Sequence, residues 1–163
     1  MVAIGDIVDL SFTVKVVCAG VVKEMTFRDL VTRPTVVSVY MKNKTPGCDR
    51  QNDSLVTVAA ALEKAGFGLI AVSRDTTGSH LRYAAARAIP YPLVSDPADC
   101  FARATGSLVE KSMYGRTFTG PARTAYLVER SGRVLGVVGR VDPAKHAEQV
   151  NELIKPFING GRI

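Results

Sequence analysis

The run "TVVSVY" (35–40) is apolar or small at every position, so both of its faces lie against protein. A strand of that kind belongs in the middle of a sheet covered on both sides. Thr45-Pro46 then reads as a helix start, a threonine N-cap followed by proline at the first helical position. The helix is expected from about Thr45 to Ala65, where Gly66 stops it, and "GLIAVS" (68–73) reads as the next strand. Two strands joined by a helix favour parallel pairing through a right-handed crossover.

The remaining segments extend this unit. "LSFTVKVVC" (10–18) alternates so that Phe12, Val14, Val16 and Cys18 share one face, which is expected to be buried. Ala19-Gly20 turns it into "VVKEMTF", giving an N-terminal hairpin. A helix near 79–88 and a short strand "YPLVS" (91–95) follow. Asp96-Pro97 reads as an N-cap and first helical proline opening a short helix that holds Cys100. "TAYLVE" (124–129) and "RVLGVVG" (133–139) flank Arg130-Ser131-Gly132 as an antiparallel hairpin. Asp142-Pro143 opens a last helix with Ala147, Val150, Leu153 and Ile154 on one face. Residues 105–123 show no regular pattern, and a loop that long is often functional. The order implies an α/β chain of one domain over 1–163. Its mixed central sheet is flanked by helices in the manner of thioredoxin, with the extra N-terminal β-hairpin added.

Composition narrows the class. At 47% hydrophobic and 22% charged residues, the chain can build a core and is not disordered. The apolar runs are too short to span a bilayer, and "MVAIGDIVDL" does not read as a secretion signal, so a cytoplasmic address is expected. The net charge of +6 is spread over single Lys and Arg residues, a pattern unlike a nucleic-acid-binding motif. No nucleic acid and no membrane are expected as partners. Cys18, Cys48 and Cys100 are far apart and have no metal-ligand spacing with His80 or His146, so neither a metal nor another cofactor is expected. The histidines read as surface or capping residues.

Cys48 stands apart from the other two cysteines. Gly47 and Cys48 fall in the first turn of the helix, where backbone N–H groups have no intrahelical partner. A thiolate there gains from those donors and from the helix dipole, about 0.3–1 kcal/mol and up to about 2 when partly buried. That is too little to keep a thiol ionised at neutral pH, so a cation must come from elsewhere in the chain. Gly47 has no Cβ to obstruct a small substrate. Read on these residues alone, Cys48 is either a reactive thiol or a small apolar group in a helix turn.

A family resemblance bears on that choice. "SVYMKNKTPGCDRQ" (38–51) resembles the active-site segment of the peroxiredoxins, specifically their bacterioferritin comigratory protein, or peroxiredoxin Q, branch. The likeness continues in collinear order through "IAVSRDTTGSH" (70–80), "PYPLVSD" (90–96), "EKSMYGRTFTGPARTAYLVERSGRV" (110–134) and "HAEQV" (146–150). It implies a thioredoxin-like domain of AhpC/TSA type that reduces hydrogen peroxide and organic hydroperoxides through a cysteine sulfenic acid. Position by position it makes Cys48 the peroxidatic cysteine and Thr45 the hydroxyl that orients peroxide. It makes Arg123 the cation that stabilises the thiolate. The backbone N–H groups of Gly47 and Cys48 act as donors, and Met41 and Pro46 shield the pocket. Tyr114 and Phe118 either line that pocket or pack elsewhere. The implied partners are a hydroperoxide and a thiol reductant such as thioredoxin, glutaredoxin or glutathione, acting on a monomer or weak dimer.

The sequence departs from the family pattern in several places. Met41 stands where the family has proline, which keeps the site apolar but adds flexibility and an oxidisable sulfur. Gln51 stands where glutamate is frequent. The two familiar positions of a resolving cysteine hold Asp53 and Ala84. Cys18 is expected on a buried strand face, and Cys100 is the one other internal candidate for resolution. A one-cysteine cycle with an external thiol is therefore expected. The rival readings are a monothiol thiol–disulfide oxidoreductase and a non-catalytic thioredoxin-like binding or chaperone module.

Overall fold

The computed structural model describes residues 1–158. In chain order the elements are β1 (Thr13–Cys18), β2 (Val21–Thr26), α1 (Phe27–Leu30), β3 (Thr35–Val39), α2 (Pro46–Lys64), β4 (Gly68–Ser73) and α3 (Thr77–Arg87). Then come β5 (Leu93–Ser95), α4 (Cys100–Ala104), β6 (Leu108–Met113), β7 (Arg116–Pro121), β8 (Ala125–Val128), β9 (Val134–Val138) and α5 (His146–Ile158). Seven strands form a mixed sheet in the order β2-β1-β5-β4-β3-β8-β9, and β6 and β7 form a separate pair. The three central strands β3, β4 and β5 are parallel, while β1, β2, β8 and β9 add antiparallel edges.

Every residue of β3 is buried, as its unbroken apolar sequence requires. Its alternate side chains feed two cores. Val36 joins Leu55, Leu62, Tyr83, Leu127 and Ile154 on the face covered by α2, α3 and α5. Val37 and Val39 join Ile70, Val72 and Tyr126 on the other face, closed by Leu10, Phe27 and Phe101 from the N-terminal segment, α1 and α4. This is the expected mixed sheet between helices, with the hairpin at one edge. Among the described residues no helix is long and apolar enough to cross a membrane.

Three expectations are corrected. Cys18 is exposed, not buried. Strand β1 pairs with β5 only from Lys15 to Val17, so Cys18 lies past the end of that pairing, joined only to Val21 in the hairpin. Val17 is buried instead, because α3 covers the opposite side of β1. Residues 108–121 are not irregular but form the β6–β7 hairpin. Its turn places Tyr114 and Gly115 at φ +52° and +74°. A tyrosine in that first position is an unusual turn residue, and most of β7 is exposed, so apolar alternation does not reveal the strands. The Cys100 helix begins at Cys100 rather than beside Pro97. Asp96 still acts as its cap from a distance, accepting from the backbone N–H groups of Cys100 and Phe101 at 2.9 and 3.0 Å.

The β8–β9 turn fixes the N-terminal segment. Gly132 has φ +91°, and its carbonyl accepts from Val8 N–H at 2.8 Å. A Cβ at that position would lie 2.1 Å from the Val8 carbonyl oxygen. Gly132→Ala is expected to cost at least about 1–3 kcal/mol through backbone strain alone. Urea unfolding should show this as a lower midpoint at unchanged slope.

Candidate active site

The site forms at the C-terminal end of β3, where the chain passes from Tyr40 through a tight loop into α2. Lys44 takes φ +63°, a left-handed conformation that reverses the chain just before the helix. The loop is held at Asn43, which is buried. Its backbone N–H donates to Asp75 Oδ2 at 3.0 Å, and its Oδ1 accepts from the Tyr40 hydroxyl at 2.6 Å. Its Nδ2 lies 3.1 Å from both Ser79 Oγ and His80 Nδ1. Since Nδ2 can only donate, His80 Nδ1 is the acceptor, and Nε2–H donates to the Val94 carbonyl at 3.2 Å. His80 is fully buried, which corrects its expected surface placement, and burial holds its imidazole below the ordinary range.

Thr45 occupies the N-cap position of α2 with Pro46 next, as the sequence implies. Its hydroxyl does not cap the helix. It donates to the Lys42 carbonyl at 2.8 Å, leaving the threonine oxygen free to accept. Pro46 is exposed and covers little of the site, whereas Met41 is half-buried against the core. Cys48 sits in the first turn, only 1% exposed.

The missing cation arrives from between β7 and β8. Backbone bonds from Val141 N–H to Arg123 O at 2.9 Å and from Val39 N–H to Thr124 O at 2.8 Å fix that segment. Arg123 Nη1 lies 3.4 Å from Cys48 Sγ and 2.8 Å from Gln51 Oε1. The guanidinium passes over Gly47, where a Cβ would touch Nη2 at 3.5 Å. That is ordinary van der Waals contact, so Gly47 lies directly beneath the guanidinium.

Gln51 is buried and donates from Nε2 to Ser38 Oγ at 2.8 Å and to the Val39 carbonyl at 3.2 Å. Ser38 Oγ lies 2.9 Å from His146 Nε2. His146 is fully buried, which corrects the second histidine expectation. The sequence places it one turn before Val150 on the apolar face of α5, a position that periodicity reveals once the helix start is known.

Two more features escaped sequence reasoning. Lys111 of β6 reaches Met41 Sδ, and burial followed by the nearby charges of Arg123 and Arg74 lowers its ammonium below the ordinary range. Arg74 pairs with Asp99 and donates to the Thr119 carbonyl at 3.1 Å, tying the β6–β7 hairpin to the body of the protein. Neither residue carries a local motif, because both act through contacts distant in sequence. Tyr114 is 97% exposed at the hairpin tip, and Phe118 is also exposed, so neither is enclosed in a pocket.

The first turns of α2 are pinned to α3. Asp49 accepts from the Tyr83 hydroxyl at 2.7 Å and pairs with Arg87 at 2.8 Å, while Arg87 also pairs with Asp53 at 3.1 Å. Against the opposing effect of burial, the Tyr83 hydroxyl and the Arg87 guanidinium, with a backbone N–H bond from Lys44, hold the Asp49 carboxyl below the usual range. Asp53 and Ala84, the two resolving positions of the resemblance, therefore sit at an ion-paired helix contact. Cys100 lies on α4, across the sheet from α2, and burial together with Asp96 pushes its thiol up. Cys18 is at the opposite end of the parallel strands from Cys48.

A model of the AhpC/TSA family matches residues 5–137. A peroxiredoxin Bcp of Xanthomonas campestris pv. campestris is 33% identical over 120 residues, covering 74% of this chain and 75% of the relative. The chain belongs to the peroxiredoxins. A putative peroxiredoxin bcp of Coxiella burnetii is 26% identical over 77% of this peroxiredoxin and 83% of its own length. Among solved structures, Xanthomonas campestris peroxiredoxin Q superposes with a TM-score of 0.80 at 29% identity, covering 90% of this chain and 91% of that one. A PrxQ mutant from Xylella fastidiosa gives 0.83 at 26% identity, covering 96% and 97%. The fold is that of these thioredoxin-like peroxiredoxins, and the protein is a thiol-dependent peroxidase.

The buried histidines set a pH dependence. In the unfolded chain His146 titrates near its ordinary 6.5, and burial above all lowers it to about 4 in the fold. Between those values the unfolded chain binds a proton that the folded chain excludes. Stability is therefore complete above pH 6.5 and falls as the pH drops toward 4, by about 1.4 kcal/mol per pH unit for one such group. His80 acts in the same direction. Urea midpoints measured from pH 7 to pH 4 should decline across this window; a profile flat from 6.5 to 5 would contradict the burial of a neutral imidazole.

Proposed function

We propose that Cys48 is the peroxidatic nucleophile of a one-cysteine cycle acting on hydrogen peroxide and organic hydroperoxides. The observation that carries this reading is the Arg123 guanidinium, 3.4 Å from Cys48 Sγ in a buried helix turn. The thiolate attacks the terminal peroxide oxygen, the S–O bond forms as the O–O bond breaks, and water or an alcohol leaves after taking up a proton. Arg123 and the first-turn N–H groups of Gly47 and Cys48 meet the developing negative charge. Thr45, whose oxygen is left as an acceptor, receives the peroxide O–H. The organic substrate is favoured because the Xanthomonas bacterioferritin comigratory protein has been described for alkyl peroxide reduction.

The sulfenic acid so formed is reduced by an external thiol. That thiol displaces water to give a mixed disulfide, and a second thiol releases Cys48. Asp53 and Ala84 offer no sulfur, and the ion pairs of Arg87 with Asp49 and Asp53 oppose unwinding of α2. Cys100 lies across the sheet with a poorly ionised thiol, which argues against it as the resolving partner. Thioredoxin, glutaredoxin or glutathione are the candidate reductants in a reducing, cytoplasmic setting.

Reduced protein mixed with stoichiometric hydrogen peroxide and followed by intact mass tests the chemistry. A trappable sulfenic acid should form in the wild type and be absent in Cys48→Ser. Arg123→Ala should slow its formation by about 10²-fold, the usual effect of losing one such donor. Oxidation by disulfides but not by peroxide would instead identify a thiol–disulfide oxidoreductase. The cycle is tested separately in Cys18→Ser/Cys100→Ser, which should turn over with an external thiol at close to the wild-type rate; loss of turnover with the first oxidation intact would assign resolution to one of those thiols.

A further inference from the structure

A line of buried polar groups leads away from Arg123 into the core, and both of its ends fix the direction of every bond between them. At the near end, Arg123 has only donors, so the Gln51 atom 2.8 Å from it is Oε1. The Val39 carbonyl can only accept, so the Gln51 atom 3.2 Å from it is Nε2, and that amide also donates to Ser38 Oγ. At the far end, Gln149 is held by two backbone groups of equally fixed character. Its Oε1 accepts from Asp142 N–H at 3.0 Å, and its Nε2 donates to the Arg140 carbonyl at 3.1 Å. His146 Nδ1, 3.2 Å from that same Oε1, must therefore carry the hydrogen.

Only the middle link is left. Ser38 Oγ already accepts from Gln51, and it lies 2.9 Å from His146 Nε2. With Nδ1 protonated and the ring neutral, Nε2 is a bare acceptor, and the serine hydroxyl donates to it. The donors then run one way throughout, from Arg123 to Gln51, Ser38, His146, Gln149 and the Arg140 carbonyl. Ser38, Gln51 and His146 are all fully buried, so no solvent competes for the Gln51–Ser38 and Ser38–His146 bonds.

We infer that Ser38 and His146 are positioning residues for Arg123, acting by holding the Gln51 amide with its oxygen toward the guanidinium. If the ring carried its hydrogen on Nε2, Ser38 would no longer have to donate to it. Its hydroxyl would be free to turn toward Gln51, and of the two acceptors that hold the amide nitrogen only the Val39 carbonyl would remain. A flipped amide would present Nε2 to Arg123, donor against donor, and push the guanidinium off Cys48 Sγ. The sequence gives a motive for this device. Position 51 is a glutamine, and a glutamine, unlike a carboxylate, has a wrong orientation to be prevented. The inference rests on the reading of Arg123 as the cation that serves Cys48.

Two measurements test it. Nitrogen NMR of histidine-labelled protein should show His146 as the neutral Nδ1–H tautomer; an Nε2–H tautomer would overturn the inference whatever Arg123 does. The second is a double-mutant cycle read as the rate of Cys48 oxidation by hydrogen peroxide and as the fraction of thiolate at pH 7. Ser38→Ala, a small change that keeps the strand, should slow oxidation about tenfold, the worth of one hydrogen bond. Ser38→Thr, which keeps the hydroxyl, should restore most of the rate. In an Arg123→Ala background Ser38→Ala should have no further effect. Equal slowing in both backgrounds would mark Ser38 as a packing residue and overturn the proposal. If Arg123→Ala alone leaves the rate unchanged, the reading of Arg123 fails instead, and the tautomer measurement still stands on its own.

Discussion

The guanidinium of Arg123 is shared between a sulfur and an amide oxygen, and much of the protein is arranged to keep it there. It lies 3.4 Å from Cys48 Sγ and 2.8 Å from Gln51 Oε1, both on α2, while its own backbone belongs to the segment entering β8. The cation therefore reaches from the antiparallel strand beside β3 to the helix that follows β3. Strand β3 makes this possible by pairing with β4 on one side and β8 on the other, so that α2 and Arg123 meet at its C-terminal end. An arginine on a loop free of backbone bonds would lose backbone entropy on each approach to the sulfur. Here the backbone bonds of Val39 and Val141 remove that freedom in advance.

The surroundings of the thiol are polar inside and ion-paired outside. Buried Asn43, Gln51, Asn52, His80 and His146 all have hydrogen-bond partners, which is the condition for placing such groups in a core. The cost is sensitivity. The amides are useful in one orientation and the histidines in one protonation state, so acid or a single missing partner disturbs several bonds together. The Arg87 pairs are different in kind. They are partly exposed and individually weak, of the order of 0–1 kcal/mol.

The central strands and the helix that holds Cys48 were legible because burial and periodicity are local signals. "TVVSVY" could only be a covered strand, and Thr45-Pro46 could only begin a helix sensibly at Pro46. The triad of Thr45, Cys48 and Arg123 was named from resemblance, and the fold brings the last two into contact. What sequence hid were partners chosen by topology. Ser38 and His146 are 108 positions apart and meet only because α5 returns across α2. Both histidines looked like surface residues since polar side chains usually are, and only the fold reveals the partners that allow them inside. Cys18 misled for the opposite reason: its alternation was right, but the neighbouring strand ends one residue too early.

Cys48, a residue only 1% exposed, sits behind a filter of size. A hydroperoxide can reach it with its two-oxygen head, and a slim thiol can follow. The folded surface of a protein reductant is too blunt to do so while α2 stays wound. The Arg87 pairs with Asp49 and Asp53 add only a modest cost to unwinding the first turns of that helix. The reductant must be narrow enough to come in, or strong enough in its docking to pull the helix open.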